Sequence, residues 1–134
     1  MNSMFESVGN AIRGRFSSLI PYPTQYDNGP LVSTSDLWVR HTILWGSVQP
    51  TEIFRGNFRL TGVMLAQVRQ PFLLGEHEVL VVGDLIADNF RSVQDSGVTF
   101  RTPTVESFGR DGAYWLVNIS CPFFSDEVLT VTSN

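Results

Sequence analysis

Two alternating stretches near the middle of the chain constrain the fold more than any other feature. Between Phe58 and Arg69, residues Phe58, Leu60, Gly62, Met64, Ala66 and Val68 share one parity, and Arg59, Thr61, Gln67 and Arg69 share the other. The stretch from Leu37 to Trp45 repeats the pattern, with Val39, His41 and Ile43 on one side. A period of two sustained this long needs extended backbone, because only there do successive side chains point to opposite faces. The two stretches predict long strands with a core side and a wetter side. The core side needs a second layer to bury it.

Two helical patterns supply that layer. Ser3 followed by Glu6 has the form of a capping box, and Phe5, Val8, Ile12, Phe16 and Leu19 then recur at helical spacing, predicting a helix from about Met4 to Leu19. Gly9 and Gly14 weaken it by about 1 kcal/mol each relative to alanine, so it must be stabilised by packing. Pro21 and Pro23 end it. A second helix opens at Gly75, Glu76, His77 and Glu78, with Val79, Val82, Ile86 and Phe90 as its buried stripe and Asp84, Asp88 and Arg91 facing solvent.

The connections are marked by turn residues. Tyr22 to Asp36 reads as a loop in which Pro23 to Tyr26 could form a short edge strand. Gly46 to Gly56 reads as a long hairpin loop whose apolar tip, Ile53, Phe54 and Arg55, is a candidate contact arm; folding of Ile53 and Phe54 back onto the core is the alternative. Strands resume after Gln94 to Gly97, Gly109 to Gly112 is a hairpin turn, and the last strand, Tyr114 to Phe124, alternates with Ala113, Trp115, Val117, Ile119, Cys121 and Phe123 on one side. Val128 and Leu129 begin a run of high strand propensity that has no partner within the chain in this reading. It could fray or add a strand to a neighbouring subunit. The fold class is therefore α+β: a mostly antiparallel sheet carrying two helices in a single domain, residues 1–127, followed by a tail, 128–134. Ile43, Leu60, Met64, Val68, Val117 and Ile119 are the predicted sheet core, covered by Val82, Ile86 and Phe90.

Catalytic chemistry is thinly supplied. His41 lies mid-strand on the core side, where a satisfied core histidine is the simpler reading, and His77 has only Glu76 and Glu78 beside it. Neighbouring helical side chains diverge, so this trio does not form a metal site. Cys121, the only cysteine, reads as a small core residue. There is no glycine-rich phosphate loop and no lysine to serve one. We therefore expect no enzymatic activity, no cofactor and no metal.

All nine basic residues are arginines against thirteen carboxylates, giving a net charge of −4, which disfavours nonspecific nucleic-acid binding. Phe58 with Arg59 and Phe100 with Arg101 interleave aromatic and cationic side chains as single-strand binders do. Without net basicity, an inward ring and an outward guanidinium is the better reading. At 43% apolar and 16% charged residues, some apolar surface remains for partners. No run approaches the roughly 20 apolar residues that span a bilayer, and no basic segment precedes an apolar one at the N-terminus, so a protein soluble in a cytosol is expected.

With these residues in place, the chain resembles the phage tail terminator family of tailed bacteriophages. The likeness lies in the N-terminal helix, the phrases Leu37-Trp38-Val39-Arg40 and Gly62-Val63-Met64-Leu65-Ala66-Gln67-Val68, and the helix ending Asp84-Leu85-Ile86-Ala87-Asp88-Asn89-Phe90. It continues through Gly97-Val98-Thr99-Phe100-Arg101-Thr102-Pro103 and a closing Pro122-Phe123-Phe124-Ser125-Asp126-Glu127. It covers about Met4 to Glu127, and the run from Val128 to Asn134 departs from it. The resemblance implies a structural virion protein, made in the host cytoplasm and placed at the head-tail junction. Such a protein forms a homo-oligomeric, six-fold ring on the last ring of tail-tube protein, stops tube growth and offers a docking surface to the head connector or stopper. DNA would pass through the lumen without specific binding, and no membrane is involved. Ile53, Phe54, Arg55, Val128 and Leu129 are the candidate interface residues. The alternatives are another tail-tube or head-tail connector and completion protein or, from a different class, a small binding module or an enzyme using His41.

Overall fold

The computed structural model describes residues 4–27, 29, 37–50, 57–71, 77–111 and 114–128. Helix α1 spans Met4–Leu19 and is followed by the short strand β1, Thr24–Tyr26. Strands β2, Trp38–Pro50, and β3, Asn57–Pro71, come next. Helix α2, His77–Phe90, leads into β4, Gln94–Asp95, β5, Val98–Phe100, β6, Thr104–Asp111, and β7, Tyr114–Val128. The strands form one seven-stranded sheet in the order β1-β2-β3-β7-β5-β4, with β6 also paired to β7. Every pairing is antiparallel except that of β1 with β2. The domain is thus α+β with a mostly antiparallel sheet and two helices, as the alternation and the helical stripes imply.

The predicted core is the observed one: Ile43, Leu60, Met64, Val68, Val117 and Ile119 are buried beneath Val82, Ile86 and Phe90. Val39, His41, Ala66, Cys121 and Phe123 complete the same sheet face. α1 lies on this face too, but its buried stripe is Val8, Ile12, Phe16 and Ile20, while Phe5 and Leu19 are exposed. A strict four-residue step drifts slowly around a helix and selects Ile20, one residue beyond the last turn, over Leu19. Arg15 ties the two helices together. It pairs with Asp95 at 3.1 Å and donates to the carbonyl of Asn89, one of the orphan acceptors at the end of α2.

Three boundaries differ from the sequence expectation. β2 continues through Gly46 to Pro50, where the register slips between Trp45 and Val48, so only residues 51–56 separate β2 from β3. A bulge absorbs Gly46 and Ser47, whose polar, glycine-containing sequence reads as loop. Gly109 is not part of the terminal turn. It sits inside β6 at a second register shift with φ +65°, and the hairpin closes at the pair Asp111 and Tyr114. β7 runs past Phe124 to Val128, pairing with β3 along its whole length, with Val128 opposite Asn57. The boundary expected after Glu127 therefore falls within the last strand.

Gly62 shows how closely the sheet's inner face is filled. Phe123 lies opposite it in β7 and folds its ring over the glycine, so that an added Cβ would stand 2.6 Å from Phe123 Cζ and 2.9 Å from the carbonyl oxygen of Leu44. Gly62→Val should destabilise the domain by about 1–3 kcal/mol through this overpacking. A urea midpoint equal to that of the parent protein would show that the ring can move aside.

Candidate functional site

Both helices pack on one face of the sheet, and the other face of β2, β3 and β7 has no layer over it among the described residues. That face presents Trp38, Arg40, Thr42 and Leu44 from β2, alternate residues from Arg59 to Arg69 from β3, and Asn118, Ser120, Pro122, Phe124 and Asp126 from β7. Most are uncharged, and several arginines are engaged locally. Arg59 forms two hydrogen bonds to Asp126, at 2.7 and 3.0 Å, and this pairing holds the Asp126 carboxyl below its usual range. The Arg59 and Arg101 guanidinium carbons stand 4.2 and 4.9 Å from the centre of the Phe124 ring, and Arg69 lies over Trp38. The Phe100-Arg101 pattern resolves as an inward ring and an outward cation: Phe100 is buried in the core and Arg101 is exposed.

The edges of this sheet are as distinctive as its open face. β1 covers β2 only as far as His41, and the Asp27 carboxylate then accepts from the backbone N–H of Ile43 and the hydroxyl of Thr42. Beyond that point residues 44–49 are all exposed, with Leu44 at 52%, and Trp45 meets Phe5 of α1 edge-on at 5.2 Å. On the opposite side β6 pairs, among the described residues, only with β7, and Thr104, Val105, Glu106 and Ser107 are exposed. These apolar edge residues were not singled out from the sequence. Leu44 and Trp45 read as ordinary strand positions, and nothing local shows that the partner strand stops at His41.

Of the candidate interface residues, Ile53, Phe54, Arg55 and Leu129 lie outside the described residues, and Val128 closes β7 beside Asn57. His41 is buried to 1% exposure between Phe16 and Tyr26, with ring centroids at 4.7 and 5.3 Å, and its Nε2 has no hydrogen-bond partner among the described residues. Burial pushes its pKa down to about 4. His77 opens α2 and lines a shallow depression of about 290 Å³ with Tyr22, Glu78, Val81 and Val82. No group of three histidine, cysteine or carboxylate side chains able to hold a metal occurs among the described residues. The Cys121 thiol is buried and 3.3 Å from the carbonyl oxygen of Arg101, and burial pushes its pKa up to about 11, so it is a packed thiol and not a poised thiolate. No described helix is long and apolar enough to cross a membrane.

No family model and no curated protein sequence matches the chain. One solved structure, of a protein whose designation describes no function, superposes with a TM-score of 0.71 over 92% of this chain and 96% of its own, at 16% identity. At that identity the likeness establishes a shared fold across nearly the whole domain.

Proposed function

We propose that this protein is a structural component of a phage tail, forming a ring at the head-proximal end that stops tube growth and receives the head connector. The observation that carries the reading is the face of β2, β3 and β7 that no described residue covers, a broad surface opposite the helix layer, in a domain whose two histidines are either buried in the core or set in a shallow exposed depression. A chain built this way works by contact over area, and the resemblance supplies the assembly in which such contact has a function.

The test is mixing purified protein with polymerising tail-tube subunits. The protein should shorten or cap the tubes and appear only at their ends. Incorporation along the tube wall would favour a tube-protein role, and failure to associate with tubes would remove the assignment.

A further inference from the structure

We propose that two copies of this chain pair face to face through the open side of the sheet, about a two-fold axis that runs along the strands between β3 and β7. No described residue covers this side, and its charges are sorted by strand. Residues directly opposite each other in antiparallel strands point to one face, so the strand pairings define rows across it. One row runs through Arg40 on β2, Gln67 on β3, Asn118 on β7 and Glu106 on β6, with a cation at one end and a carboxylate at the other. Towards the far end of the face the order repeats, with Arg59 on β3 opposite Asp126 on β7. Arg69 adds a third cation to the β2-β3 half. Arg101, which follows β5, is the exception on the other half and lies over the Phe124 ring. Asp27, beside β2, is engaged by Thr42 and Ile43. Arg40 and Glu106 are exposed, and neither makes an ion pair among the described residues.

This sorting makes the face complementary to itself. A half-turn about an axis along the strands lays β2 of one copy over β6 of the other, and β3 over β7, at the same level. Each Arg40 then meets the carboxylate of Glu106 from the second copy, and the carboxamides of Gln67 and Asn118 exchange hydrogen bonds. Both junctions form at once, as an isologous contact requires. Between the charged rows the face is neutral, with Thr42, Val63, Leu65, Ser120 and Pro122 at its middle. Two sheets stacked this way keep their strands aligned at a spacing of about 10 Å, the arrangement of a β-sandwich. Four strands at their usual spacing, over the length from Arg59 to Arg69, give a face of about 19 Å by about 34 Å. The pair therefore covers about 1,300 Å², near the lower end of the range for specific stable interfaces, which fits a reversible dimer. A second copy is the occupant because the cations of one half find the matching carboxylates on the other half of the same surface.

The dimer goes beyond the tail reading, and its test uses the isolated chain alone. In sedimentation velocity over a concentration series, the parent chain should pass reversibly from monomer to dimer. Arg40→Glu and Glu106→Arg each set like charges against each other at both junctions and should weaken dimerisation by at least about tenfold. Both side chains are exposed, so melting temperatures should stay close to the parent value. An equal mixture of the two variants should dimerise again, because opposite charges meet at both junctions of the mixed pair. Rescue between two chains cannot come from contacts within one. A parent chain that stays monomeric throughout would overturn the proposal and leave the face to a different protein or to another part of this chain. Charge-reversed variants that dimerise like the parent, or a mixture that associates no more tightly than its components, would overturn it as well. Tube capping by a chain that never dimerises would keep the tail role and remove only this contact, and dimers that fail to cap tubes would do the reverse.

Discussion

Replacing Phe16 with alanine should lower the unfolding free energy by about 3–5 kcal/mol, a large part of what a domain of this size has in total. Phe16 is fully buried, and its ring meets residues from three other elements: Tyr26 of β1 at 6.4 Å, His41 of β2 at 4.7 Å and Phe90 of α2 at 6.0 Å. Its removal leaves a cavity at the point where α1, α2 and the β1 edge converge, and the sheet beneath is too rigid to close it. Urea titration followed by circular dichroism measures the loss. An unchanged slope with a lower midpoint means that the whole domain is weakened, whereas a smaller slope means that α1 detaches first. A loss under about 1 kcal/mol would show that α1 contributes little to the native state.

The layers of this fold were legible because burial imposes a period on the sequence. The faces assigned to β2, β3 and β7, the stripe of α2 from Val79 to Phe90 and the range of α1 all follow from alternation or helical spacing, and each is where burial places it. Local turn chemistry was the weaker guide. Gly46 and Gly109 read as loop residues but lie in bulges within long strands, where one extra residue, not a reversal, uses the glycine. The candidate surface was less legible still. Trp45, Val48 and Val105 face the core side and Leu44 the open side, and all four stand at edges where, among the described residues, β1 has ended or β6 has no outer neighbour. Strand adjacency arises from long-range pairing and leaves no periodic mark on an edge residue. The long-range arrangement also sets two strong contacts that adjacent residues do not reveal, Arg15 with Asp95 and Arg59 with Asp126.

Acidification from about pH 6.5 to about pH 4 should cost the folded domain about 3 kcal/mol through His41 alone. The side chain enters the core because its strand position faces inward between Val39 and Ile43, and it is buried against Phe16 and Tyr26 with Nε2 unpartnered among the described residues. Burial disfavours the imidazolium, the Asp27 carboxylate offsets part of that effect, and Arg13 adds to it, leaving the folded-state pKa at about 4 against an ordinary 6.5. The unfolded chain therefore takes up a proton that the folded chain refuses. The stability owed to neutral His41 is complete above about pH 6.5, falls as pH drops through the window and is gone below about pH 4, at about 1.4 kcal/mol per pH unit. Asp95 and Asp126, whose carboxyls are held low by Arg15 and Arg59, lose their contribution only as pH falls below the ordinary carboxylate value, so they act mainly below this range. His41→Leu keeps an apolar side chain of similar reach in place, removes the unpartnered nitrogen and should flatten the profile between pH 6.5 and 4 while preserving stability at pH 7. Urea midpoints at pH 7, 5.5 and 4 decide the matter. Parallel profiles for the parent and His41→Leu would show that another group controls the acid sensitivity.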